Sequence, residues 1–264
     1  MLDPVTKRSG ARYRLATRAV SLGRPIDPLA RARKLSRALA AAKASGAEHI
    51  VISGDITEVG DEVEFEHFAN VLDDARIDPS SITIVPGNHD AYTTPRAWRR
   101  ALEGPLRRYA ASSATDAGKV VEGAGAVFLP IDTSCFQSIA RSGGEFTREA
   151  RAAVEERLSD SFFRDRPLLL VLHHPPSTKR ENPVWQWIDA LRGSTHVLDI
   201  LKRHPRAQLL HGHMHRMVDR IVEGFGTAKA RIFGAPAVVD DGDRARVRVY
   251  DVRDGAIESA GLFG

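Results

Sequence analysis

Four short apolar runs in this 264-residue chain each stop at a cluster of small, acidic, amide or imidazole residues. His49-Ile50-Val51-Ile52-Ser53 is ended by Gly54-Asp55, and residues 81–85 by Pro86-Gly87-Asn88-His89-Asp90. The five aliphatic residues 168–172 run into His173-His174-Pro175-Pro176, and residues 207–210 into His211-Gly212-His213-Met214-His215. Apolar runs this short, bounded by Gly and Pro, read as buried strands. Stretches of helical periodicity separate them, so the pattern predicts an α/β fold with helices covering the sheet faces. Sheets of this kind hold ligands at the carboxyl edge of their strands. Six of the ten His fall at that edge.

The rest of the chain fits this frame. Asp27-Pro28, followed by Leu29, Ala32, Leu35, Leu39 and Ala42, predicts a helix capped by Asp27 and stopped at Gly46. Val63, Phe65, Phe68, Val71 and Leu72 predict a second helix over 61–75. Others are expected near 147–158 and 194–203, with a further strand near 125–131. Towards the end, Arg246-Val247-Arg248-Val249-Tyr250 alternates, and Asp254-Gly255 suits a hairpin turn. Without repeats or a low-complexity linker, residues 27–264 read as a single domain, preceded by a basic segment over 1–26.

Charge is unevenly distributed. Residues 1–37 hold ten Lys+Arg against two Asp+Glu, whereas the remainder holds 28 against 32. Basicity confined to one end, without interleaved aromatics, favours a solvated arginine-rich face over a nucleic-acid or lipid surface. No apolar run approaches the roughly 20 residues of a membrane span. The single Cys135 excludes an intrachain disulfide framework and a cysteine-rich zinc site. A cytoplasmic setting is expected.

Carboxylate, amide oxygen and imidazole without thiolate form a donor set for Mn, Fe or Zn. An Asp in such a set can bridge two cations roughly 3.5–4 Å apart, which suits phosphoryl transfer. Alone, Asp55 reads equally well as a turn cap, and Asn88 as a turn residue beside Gly87. His174 and His211 are expected to pack or to support ligands. His49, His67, His196 and His204 are expected as ordinary strand or helix-surface residues, and Cys135 as a buried inert thiol.

Taken together and in order, Gly54-Asp55-Ile56-Thr57, Gly87-Asn88-His89-Asp90, His173-His174-Pro175 and Gly212-His213-Met214-His215 resemble the calcineurin-like metallophosphoesterase superfamily. Gly60, Glu64 and Phe65 further resemble its class III cyclic-nucleotide phosphodiesterase branch. The resemblance implies an α/β/β/α sandwich of two mixed sheets flanked by helices. It implies that Asp55 bridges two metals, that Asn88, His173 and His213 bind the second, and that His215 binds the first. His89 would contact phosphate and protonate the leaving alkoxide, with Asp90 holding its ring.

The chain departs from that family in having no Asp-x-His before Asp55. Either Met1 lies downstream of the natural start, the favoured explanation because the other ligands are all present, or residues 13–22 form a degenerate first strand. As written, only Asp55 and His215 serve the first metal. The leading expectation is hydrolysis of a small phosphomonoester or phosphodiester by a metal-bound hydroxide at a dinuclear site. A catalytically impaired binding or regulatory protein ranks second, and a nuclease third. Residues 92–100, 142–146 and 177–187 are expected to carry specificity. There Trp185 and Trp187 read as a substrate edge, an oligomer contact or a simple anchor.

Overall fold

The computed structural model describes residues 27–138, 140–163, 166–176, 183–224, 229–239, 246–253 and 255–264. The basic segment 1–26, the candidate degenerate strand within it, Asp254 and residues 177–182 lie outside them. Helix α1 spans Pro28–Ala44; the Asp27 side chain accepts from the Ala30 N–H at 3.0 Å, and Gly46 leaves the helix at φ 78°. Strand β1 is Ile50–Ser53. Helix α2, Glu62–Asp74, opens on a capping box formed by Asp61 and Glu64. Strand β2, Ile82–Val85, pairs with β1 in parallel, Ile50 opposite Ile82. Helix α3 is Ala97–Glu103.

The second half builds a six-stranded mixed sheet. Its strands are β3 (Val121–Gly123), β4 (Ala126–Pro130), β6 (Leu168–Val171), β8 (Ala207–His211), β9 (Val218–Glu223) and β10 (Lys229–Gly234). Their order is β3-β4-β6-β8-β10-β9, parallel through the centre and antiparallel at both edges. Two-residue strands β5 (Gly144–Glu145) and β7 (Leu191–Arg192) pair separately. Helices α4 (Arg148–Ser159), α5 (Pro183–Asp189) and α6 (Ser194–Arg203) lie between these strands in sequence. Strands β11 (Val247–Arg253) and β12 (Ala256–Phe263) form an antiparallel ribbon.

Alternation along the strands sorts the core into three interfaces. Ile50, Ile52, Ile82 and Ile84 pack under α1, α2 and α3 through Leu39, Phe65, Phe68, Leu72 and Trp98. Val127, Leu129, Leu168, Leu170, Leu209 and Ile232 pack under α4 and α6 through Val154, Val197, Ile200 and Leu201. The opposite faces meet between the sheets, where Val51, Val85, Phe128, Leu169, Val171, Leu210, Phe233 and Ile257 touch. The layering is therefore helix, sheet, sheet, helix. In detail, the layer facing the six-stranded sheet is not one mixed sheet: β1–β2 and the β11–β12 ribbon form separate sheets among the described residues. Among those residues no helix is long and apolar enough to cross a membrane.

Polar clamps hold the ribbon. Gln208 on β8 donates to the Ile257 carbonyl at 2.9 Å and accepts from its N–H at 2.6 Å. The Arg248 side chain, 1% exposed, lies over Phe233 and Tyr250 and donates to the Gly234 and Val218 carbonyls. His49, expected as an ordinary strand or helix-surface residue, is half-buried just before β1. Its ring stacks on Phe128 at 4.3 Å between the layers and bonds the Thr83 hydroxyl at 2.9 Å.

Burial pushes the His49 imidazole down to about 4, against about 6.5 for an unfolded chain. The folded state thus favours the neutral ring, and this contribution is complete above pH 6.5 and lost as the pH falls towards 4. Discounted for partial exposure, it is worth about 1 kcal/mol between pH 7 and pH 5. Urea melts in EDTA at both pH values should show a loss on acidification that is smaller by about that amount in His49→Gln than in wild type.

Candidate metal centre

The carboxyl ends of β1, β2, β6 and β8 converge, so that loops from both layers meet. Gly212 N–H donates to the His173 carbonyl at 3.1 Å, and His173 Nδ1 donates across the layers to the Ser53 carbonyl at 2.6 Å. Glycine is what allows this approach. A Cβ on Gly87 would lie 2.1 Å from Asp55 Oδ1, and one on Gly54, which also has φ 93°, would lie 2.4 Å from His173 Nδ1. Asp55, His213 and His215 adopt positive φ without being glycine. Such strain is retained where a side chain must be aimed.

The structure brings Asp55, Asn88, His89, His173 and His213 together. His173 Nε2 lies 3.2 Å from Asp55 Oδ2, and Asp55 Oδ1 accepts from the His89 backbone N–H at 3.1 Å. Asn88 is 1% exposed; its Nδ2 donates to the Tyr92 hydroxyl at 2.7 Å, while its Oδ1 has no hydrogen-bond partner. His173 Nε2 is also buried without one. With Nδ1 committed to Ser53, Nε2 is the nitrogen that faces Asp55, and the neutral ring carries its lone pair there. Although burial alone would lower the pKa of the ring, the Asp55 charge raises it, so a cation at this place would displace a proton. An unpartnered buried amide oxygen and an imidazole nitrogen that faces a partly buried carboxylate are donor atoms that a divalent cation takes up. The residues fit the group.

Electrostatics agree with this assignment. Burial alone would raise the Asp55 carboxyl, but the positive charge of a protonated His173, then of His89 and His213, would hold it well below the ordinary carboxylate range, a place that a cation can take. Burial pushes His213 down to about 3, so its ring is neutral and able to ligate near pH 7. Ring atoms of His173, His174 and His213 lie within 4.8 Å of one another. His174, however, spends both nitrogens: Nδ1 accepts from the Thr133 hydroxyl at 2.8 Å, and Nε2 donates to the Ser142 carbonyl at 3.1 Å. His211, buried, donates from Nδ1 to the Gly212 carbonyl at 2.9 Å. His215 lies at the exposed end of the same loop. Cys135 has its thiol raised by burial and lies 3.6 Å from the Gly143 carbonyl.

One expected pairing is different. Asp90 does not hold the His89 ring. Its buried carboxylate accepts from the Thr57 N–H at 2.9 Å, the Thr57 hydroxyl at 2.7 Å and the Gly87 N–H at 2.8 Å. These bonds tie the loop after β2 to the loop after β1. His89 Nδ1 donates instead to the Glu58 carbonyl at 2.8 Å. The Glu58 side chain is ion-paired with Arg31 of α1. Tyr92 and Glu58 are participants that the motifs did not single out. Tyr92 stands four residues after Asn88, one turn along the loop, and that spacing was the available signal.

Since Gly87 leaves room for the Asp55 carboxylate, Gly87→Ala should lower manganese affinity by roughly tenfold or more. Gly46→Ala, whose added Cβ meets open space, should not change it. Isothermal titration with manganese, beside circular dichroism to confirm folding, reads both.

The family model described as calcineurin-like phosphoesterase matches residues 27–217. The chain is also 28% identical over 220 residues to a Rhodopseudomonas palustris protein described as a probable cyclic nucleotide phosphodiesterase, covering 79% of this chain and 72% of that one. The loops that this match spans are those that bring Asp55, Asn88, His173 and His213 together, and the chain belongs to the calcineurin-like phosphoesterase family.

Proposed function

We propose that this protein hydrolyses a small phosphodiester with the help of divalent cations, manganese, iron or zinc, held at a two-ion centre. Asp55, Asn88, His173 and His213 would hold one ion, and Asp55 with His215 would contribute to the other. The observation that carries this reading is the buried Asn88 Oδ1 without a hydrogen-bond partner, next in the chain to the His89 N–H that meets Asp55, together with His173 Nε2 3.2 Å from Asp55 Oδ2. The name of the Rhodopseudomonas palustris relative supports a phosphodiester over a phosphomonoester. The scarcity of cysteine supports a cytoplasmic setting.

Divalent ions in such a centre lower the pKa of water and offset charge on the phosphoryl oxygens. The chain's own residues do the rest. Asp55 places its carboxylate between the two layers. The bond from Nδ1 to the Glu58 carbonyl fixes the His89 ring and leaves Nε2 to meet the ester. Once protonated, that nitrogen gives its proton to the departing alkoxide. Asp90 holds the two loops in register and touches no substrate.

His89→Ala should keep its metal yet lose turnover by roughly 10²–10⁴-fold on an alkyl ester. The loss should be smaller on a p-nitrophenyl ester, whose leaving group departs without protonation. Asn88→Ala should lose metal and turnover together. Metal content by mass spectrometry, beside rates on the two esters with added manganese, checks these outcomes. Metal bound at full occupancy with no turnover of any phosphoester would instead make the protein a binding module.

A further inference from the structure

Trp187 is an expensive residue to leave in water. It sits on α5 with 62% of its surface exposed. Even so, its surroundings organise it. The Arg141 guanidinium lies 4.5 Å from the centre of its ring, and Arg141 Nε donates to the Trp187 carbonyl at 3.2 Å. The Ser142 N–H donates to the Ile188 carbonyl at 2.9 Å, and the short β5–β7 pairing fastens the same loop to the chain after α5.

This loop also reaches the metal centre. The Arg141 carbonyl accepts from the Tyr92 hydroxyl at 3.0 Å, and that hydroxyl accepts from Asn88 Nδ2. The Ser142 carbonyl accepts from His174 Nε2. Two consecutive residues of the loop are thus bonded to the cradle, and the first of them carries the guanidinium under Trp187. Arg141, whose guanidinium covers one face of the Trp187 ring, stands two hydrogen bonds from a metal-ligand candidate.

The geometry points to Trp187, backed by Arg141, as a platform that stacks a planar ring attached to the phosphoester, with a nucleobase as the chemical class of ring. The substrate is then a nucleotide-type phosphodiester rather than an aliphatic one. A flat ring pre-set by a guanidinium on one side offers its free face to a base at little ordering cost. Such stacking tolerates any base, because every base has a π-face. This inference rests on the phosphodiesterase reading, which supplies the phosphate end of the ligand.

The test uses wild type, Trp187→Ala and Trp187→Phe, each loaded with manganese. Adenosine 5′-monophosphate and inorganic phosphate are the binding probes, and a cyclic nucleotide and a glycerophosphodiester are the substrates. The platform requires Trp187→Ala to weaken adenosine monophosphate binding about tenfold or more, with phosphate binding unchanged and Trp187→Phe recovering most of the loss. KM for the cyclic nucleotide should rise by a similar factor, while both constants for the glycerophosphodiester stay put. Equal effects on ring-bearing and ring-free ligands, or none, overturn it. So does a change confined to self-association in sedimentation, which would assign Trp187 to a contact between copies. If wild type turns over neither ester, the phosphodiesterase reading fails, and the binding arm still decides the platform independently.

Discussion

The hydrogen bond from His173 Nδ1 to the Ser53 carbonyl joins the two sheets where their strands end. It makes a single site out of two halves of the chain. Asp55 and Asn88 come from the parallel pair β1–β2, and His173 and His213 follow the parallel pair β6–β8. Neither pair offers a cation enough donors alone. The bond also fixes which imidazole nitrogen is available, since Nδ1 is spent on a carbonyl and Nε2 faces Asp55. The glycines of the motifs follow from the same constraint. Gly54, Gly87 and Gly212 stand where an added Cβ would collide with Asp55, His173 or Ser53.

A second set of interactions keeps the loops in register without meeting a ligand. Asp90 is pushed up by burial and by the neighbouring Asp55 charge, yet three close N–H and O–H donors surround it. Such a carboxylate is an organising element, because each donor it meets would otherwise be left unpaired in the interior at a cost of about 1–3 kcal/mol. Arg31 and Glu58 extend this organisation outward, linking α1 to the segment whose carbonyl orients His89. Tyr92 plays a similar part on the other side, bridging Asn88 to the loop that holds Trp187.

Much of this was legible in the chain because each candidate site residue lies within a few residues of the end of a short apolar run, with Gly or Pro beside it. The helices over Pro28–Ala44 and Ser194–Arg203 and the strand Ala207–His211 are readable from caps and periodicity within a residue or two of the observed bounds. What could not be read depends on distant approach. The partner of Asp90 is set by how the loop after β1 folds back, which no local pattern encodes. Strands β5 and β7, two residues each, are too short for any period to register. The alternation through Arg246-Val247-Arg248-Val249-Tyr250 marks a strand, but not which face turns inward. Arg248 is inward, because Phe233, Tyr250 and two carbonyls receive its guanidinium. His49, read as an ordinary residue at the strand, gains a partner that no local pattern encodes, because Phe128 of the second sheet covers its ring.

The most direct measurement is anomalous diffraction from crystals grown with manganese. The arrangement of donors requires a peak bounded by Asp55, Asn88 Oδ1, His173 Nε2 and His213, each within coordinating distance. Asn88 Nδ2 should still point at Tyr92, and His173 Nδ1 at the Ser53 carbonyl. A peak elsewhere, or full-occupancy manganese with Asn88 Oδ1 and His173 Nε2 both outside its coordination shell, would contradict the assignment of these orphaned atoms as ligands.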